Sequence, residues 1–117
     1  MPNDVITINP QAHIEVASHY PSANVDAVVT IAADADKFHA ISRIDYSYDA
    51  APTGGNLTVV AGSTTILNVD ITSAGHGYFD LKFPDLLHNA FAKNEAVVVT
   101  LAAGGSGVDG KLTVRYC

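Results

Sequence analysis

The stretch ISRIDYSYDAAPTGGNLTVVAGSTTILNVDI, residues 41–71, decides the fold. In its first part Ile44, Tyr46 and Tyr48 fall on one side of an extended chain while Arg43, Asp45 and Ser47 fall on the other, so one face packs and one is wet. Ile41 breaks that phase. An out-of-phase isoleucine marks a β-bulge, and a bulge here would let a long strand over Phe38 to Tyr48 pass from one sheet to another. Ala50-Ala51-Pro52-Thr53-Gly54-Gly55 reads as a hairpin loop, in which Pro52 presets φ and the paired glycines can take φ > 0. Leu57 to Ala61 returns, Gly62-Ser63 makes a tight connection, and Thr64 to Ile71 sets Leu67, Val69 and Ile71 opposite Asn68 and Asp70. The period is two throughout, which is the period of strands.

The same punctuation extends outward in both directions. Val5 to Ile8 is a short strand closed by Asn9-Pro10, and His13 to Ser18 alternates Ile14 and Val16 against Glu15 and Ala17 as an edge strand. Val25 to Ala33 has the near-continuous apolar character of a centrally buried strand and stops at Asp34-Ala35-Asp36-Lys37. Downstream, Thr72 to Gly77 reads as a loop, and Phe79, Leu81 and Phe83 then alternate with Asp80 and Lys82 up to Pro84. Leu86 to Lys93 lacks helical regularity beyond Leu87 and Phe91 and reads as a packed connection. Ala96 to Ala103 and Lys111 to Tyr116 are the last strands, joined by the glycine-rich Gly104 to Gly110. About eight short strands and no helix to cover a parallel sheet predict an all-β domain, an antiparallel β-sandwich that is jelly-roll-like, with a closed barrel as the alternative. Residues 1–24 form a candidate N-terminal arm or edge strands, and residues 25–117 the sandwich domain.

Composition agrees. The chain of 117 residues holds 13 Val, 8 Ile and 9 Thr, about a quarter β-branched. Twelve acidic against six basic residues give a net charge of -6, the wrong sign for docking on phosphates, so neither nucleic acid nor anionic lipid is an expected partner. The apolar runs Ala27 to Ala33 and Ala96 to Ala103 fall far short of the ~20 residues that span a bilayer. Met1 to Ile8 lacks a basic leader and a continuous apolar segment, which argues against a secretory signal. The one cysteine, Cys117, leaves only a bridge to a second molecule as a disulfide, and a core this thin leans on partner subunits.

Chemical motifs do not assemble. Gly105-Ser106-Gly107-Val108-Asp109-Gly110 matches G-x-G-x-x-G, but a strand pattern follows where a nucleotide cradle needs a helix, so the glycines are assigned to a hairpin loop. Ser106 lacks the second glycine of a nucleophile elbow, since Val108 stands there. His13, His19, His39, His76 and His88 show no zinc spacing; an oxygen-rich calcium site at Asp34 and Asp36 is the best metal candidate, without an EF-hand pattern. Glu15 and Glu95 are the only glutamates, and nothing pairs a carboxylate with a base or nucleophile, so the expectation is a protein that is not an enzyme and carries no cofactor. Tyr78 and Phe79 fall on opposite faces of one strand, which makes Tyr78 the candidate exposed aromatic.

Ser47-Tyr48-Asp49-Ala50-Ala51-Pro52-Thr53-Gly54-Gly55-Asn56-Leu57-Thr58-Val59, then Val69 to Phe79, then Val99 to Gly105 with Gly110-Lys111-Leu112, together resemble small proteins encoded in tailed-bacteriophage structural modules. The resemblance spans Ile41 to Val114 and leaves the first 40 residues uncovered. It implies a virion component at the capsid surface, assembled in the host cytoplasm: a decoration or cement protein that binds the major capsid protein as a dimer or trimer. Such a protein needs a rigid sandwich and exposed contacts rather than a pocket. Val5, Ile6 and Ile8 on the arm, with His76 and Tyr78 beyond it, are the candidate interface residues. The alternatives are a carbohydrate- or receptor-binding module of a fibre or surface protein, against which the lack of tryptophan weighs, and a minor head or tail completion protein.

Overall fold

Strand periodicity of two, repeated along the chain, builds eight strands in the computed structural model, which describes residues 14–35, 39–80 and 94–117. They are β1 (Glu15–His19), β2 (Ala27–Ile31), β3 (Ile41–Tyr48), β4 (Asn56–Ala61), β5 (Thr64–Asp70), β6 (Gly75–Asp80), β7 (Val97–Leu101) and β8 (Gly110–Tyr116). Two antiparallel sheets of four result, ordered β1-β8-β3-β6 and β2-β7-β4-β5. The pairs β1 with β8, β2 with β7, β3 with β6 and β4 with β5 nest inside one another like one long hairpin rolled up, and β3 with β8 and β4 with β7 close the roll. That nesting is an eight-stranded jelly roll, and the strands form two sheets rather than a closed barrel.

The core lies between the sheets. The first contributes Ile41, Ile44, Tyr48, Leu112 and Val114, and the second Ala27, Val29, Ile31, Leu57, Val59, Ala61, Val97, Val99 and Leu101. Ile71 and Val108 close one end of it from the connecting loops. One end of the sandwich is tied by backbone bonds between the loops that link the sheets, Thr53 N–H donating to Gly104 O at 2.7 Å and Asn24 N–H to Val108 O at 2.9 Å, while Ala102 N–H to Asn56 O at 2.8 Å extends the β4–β7 ladder. The Tyr48 hydroxyl spans the gap between the sheets, donating to Ala102 O at 2.6 Å.

Several expectations are corrected by the topology. Ala50 to Gly55 and Gly104 to Gly110 are not hairpin loops, because β3 and β4, and likewise β7 and β8, belong to different sheets; among the described residues only β4 and β5 form a hairpin between sequential neighbours. Turn residues reverse the chain without specifying which sheet receives it. β2 is an edge strand, with Val28 and Thr30 exposed, not a central one. In β1 the inward position belongs to Ala17, and Ile14 and Val16 face solvent. Gly75 to Gly77 is strand, not loop, because Tyr46 lies over Gly77, where any Cβ would collide with the phenol ring. The bulge at Ile41 is present, with Ser42 the extra residue against β8, but β3 stays within one sheet. Leu81, Phe83 and the Leu86 to Lys93 connection lie outside the described residues.

Candidate functional site

Alternation on the first sheet turns one residue of every two outward, and the strand register lines these residues up in three rows. Val16, Arg115, Arg43 and Asp80 form the first; Ser18, Thr113, Asp45 and Tyr78 the second; Lys111, Ser47 and His76 the third. Three of the chain's six lysine and arginine residues therefore gather on one face of a protein of net charge -6.

Asp45 is the hub. Its side chain is 19% exposed and accepts from Arg43 Nε at 3.0 Å and Arg115 Nη1 at 3.0 Å, with His76 Nε2 3.1 Å from its other oxygen. Arg43 and Arg115 face each other in register, so the carboxylate between them offsets a like-charge pair. Partial burial pushes Asp45 up, but the hydrogen bonds from Arg43 and His76 and the two guanidinium charges outweigh it and hold the carboxyl below its ordinary 3.8. The hydrogen bond to Asp45 raises Arg43 in turn.

Aromatic and hydroxyl groups complete the face. The Arg43 guanidinium lies 4.2 Å from the Tyr78 ring centre, and His76 stacks on the same ring at 6.0 Å. Tyr20, just past β1, bends over the sheet to bring its hydroxyl within 3.1 Å of Thr113 Oγ1, which in turn lies 2.9 Å from Ser18 Oγ. The bond with Thr113 lowers the Tyr20 phenol from its ordinary 10.0. Tyr20, Arg43, Asp45, Thr113 and Arg115 line an open depression of about 580 Å³. One carboxylate already held by two guanidinium groups and a histidine makes a preorganised recognition surface; acid–base or nucleophilic chemistry would need a second, less satisfied group.

Asp45→Asn is expected to cost about 1–2 kcal/mol at neutral pH, the range for charge-assisted hydrogen bonds discounted for the exposure of Arg115 and His76. Because the folded-state pKa is depressed, the wild type holds this stabilisation above the ordinary carboxylate value and loses it as pH falls through the folded value. The variant should therefore show a flatter acid limb in thermal melts between neutral pH and pH ~2.

Of the candidate interface residues, His76 and Tyr78 are brought together here, both outward on β6. Val5, Ile6 and Ile8 lie outside the described residues, as does Asp36 of the candidate calcium pair, and among the described residues no group of three or more His, Cys, Asp or Glu side chains is placed to hold a metal ion. Arg43 and Asp45 were legible as the wet side of a strand, whereas Arg115, Lys111 and Tyr20 join them only through the β3–β8 and β1–β8 registers, which no local pattern encodes. No helix among the described residues is long and apolar enough to cross a membrane. No protein-family model matches the chain, and no curated protein matches it either.

Proposed function

We propose that this chain is a non-enzymatic virion protein, a decoration or cement protein that stabilises the head of a tailed bacteriophage by binding the major capsid protein through the outer face of its first sheet. The observation that carries the reading is that face: an open, preorganised array with an exposed tyrosine and arginines already held in place, on a jelly-roll frame of the kind used in viral capsids. Side chains locked before binding lose little entropy on docking, and Tyr and Arg are the residue types that dominate protein interfaces. The resemblance of the turn motifs to those of tailed-phage structural proteins points the same way.

The test is co-sedimentation of the purified protein with capsid shells that lack it. Saturable binding at high copy number is expected, weakened about tenfold or more by Tyr78→Ala, as for a central interface aromatic. Protein left wholly in the supernatant would overturn the proposal, and hits on a glycan array abolished by the same substitution would favour a fibre-type binding module instead.

A further inference from the structure

Exposed large hydrophobic residues are not scattered over this molecule. Among the described residues there are six, and five of them (Ile14, Val16, Tyr20, Val25 and Val28) lie on β1, on β2 or next to them. β1 and β2 are the edges of the two sheets on the same side of the sandwich, joined where the Val28 N–H donates to His19 Nδ1 at 2.9 Å. The outer edge of β1 pairs with no strand among the described residues. The two edges on the opposite side are guarded: β5 carries a bulge at Ile66 and exposed Thr64, Thr65, Asn68 and Asp70, and β6 is broken up by Gly75 and Gly77 and ends in Asp80, while on β2 the Val28 N–H is already taken by His19. β1, Glu-Val-Ala-Ser-His, has no proline, lysine or bulge to prevent pairing.

We infer that β1 is a self-pairing edge, and that two copies of this chain join β1 to β1 in antiparallel fashion about a two-fold axis at Ala17, forming one eight-stranded sheet. The segment is self-complementary in that register. Ala17 meets Ala17, the smallest side chain on the strand at the axis, and Val16 meets Ser18. Glu15 meets His19 of the second copy. The Val28 N–H occupies His19 Nδ1, so the neutral ring carries its proton on Nε2, free to donate to that carboxylate. Directly opposed residues of an antiparallel pair project to the same side of the sheet, so Glu15 and His19 are on the correct face to meet. A two-fold arrangement repeats each contact twice and leaves neither β1 edge open. The exposed Val16 and Ile14 gain cover from the same contact.

The inference does not depend on the virion reading, because it is tested on the purified chain alone. Sedimentation equilibrium should give roughly twice the chain mass of 12.2 kDa. In a Cys117→Ser background, Ala17→Cys should cross-link quantitatively to a dimer on mild oxidation, and Ser18→Cys should not, since it faces Val16 across the axis. Glu15→Lys, at an exposed position, should shift the protein to monomer while its circular dichroism spectrum stays unchanged. A monomer at all accessible concentrations would overturn the inference. So would a dimer that cross-links at position 18 rather than 17, or one indifferent to Glu15→Lys.

Discussion

Tyr48→Ala should lower the thermal midpoint by about 10–20 °C, the consequence of losing about 3–5 kcal/mol in a domain of this size. Tyr48 is among the largest fully buried side chains, at 1% exposure, and its ring closes over Gly104 and Gly110 at the end of the sandwich. Truncation leaves a cavity between the sheets and also removes the donor to Ala102 O. Tyr48→Phe separates the two effects: it keeps the ring and strands a carbonyl, at about 1–3 kcal/mol. Burial holds the Tyr48 phenol above its ordinary 10.0, so the folded state resists ionisation. Stability from this group is therefore complete below the ordinary value and falls as pH rises through the folded one, a loss that Tyr48→Phe should reduce. Melts by circular dichroism from neutral to strongly alkaline pH read both effects, and a Tyr48→Ala midpoint within a few degrees of wild type would refute this role.

Gly55→Ala should also be clearly destabilising although it adds only one methyl group. Gly55 sits at the start of β4, buried, and a Cβ there would lie 2.5 Å from the backbone oxygen of Ile71 and 2.8 Å from Pro52 Cγ. The Ile71 N–H donates to Gly55 O at 3.1 Å, so the two backbones cannot separate without losing that bond. A flexible side chain would yield; a backbone oxygen and a proline ring do not. The expected loss is about 1–3 kcal/mol, read as a lower urea midpoint at unchanged slope. Ala51→Ser, exposed in the same crossover, should stay within about 0.5 kcal/mol of wild type. Equal midpoints for the two variants would show that the crossover is looser than its contacts indicate.

How far the sequence revealed the fold depended on whether the relevant contact is local. The face of β3 was legible because Ile44, Tyr46 and Tyr48 recur at the strand period, and the bulge was legible because Ile41 breaks it. The depth of β2 was not: Val28 looks like core in sequence, yet Val28 and Thr30 both face outward and the strand lies at the edge of its sheet, with only alternate residues inward. Nor was the inward residue of β1, where the small Ala17 is the side chain packed on the core and the larger Val16 faces outward. Gly75-His76-Gly77 carries turn residue types, and what makes it strand is a tyrosine thirty-one positions earlier. The candidate site follows the same rule. His76 and Tyr78 were singled out from their own neighbourhood, and the arginines that make them a surface arrive from β3 and β8.

The nested strand pairing also sets the order in which the chain can fold. The β4–β5 hairpin is the one pairing complete within a short span, and each pair outside it encloses a longer stretch, up to β1 with β8. Such topologies close slowly, because distant segments must meet before their contacts stabilise them. During synthesis β1 leaves the ribosome first and its partner β8 last of the eight strands, so among the described residues the first strand has no strand to pair with until the final one emerges. A release delayed just before Gly110 would leave β1 and β3 both unpaired along the side that β8 fills, a nascent chain with two open edges and an exposed half-core.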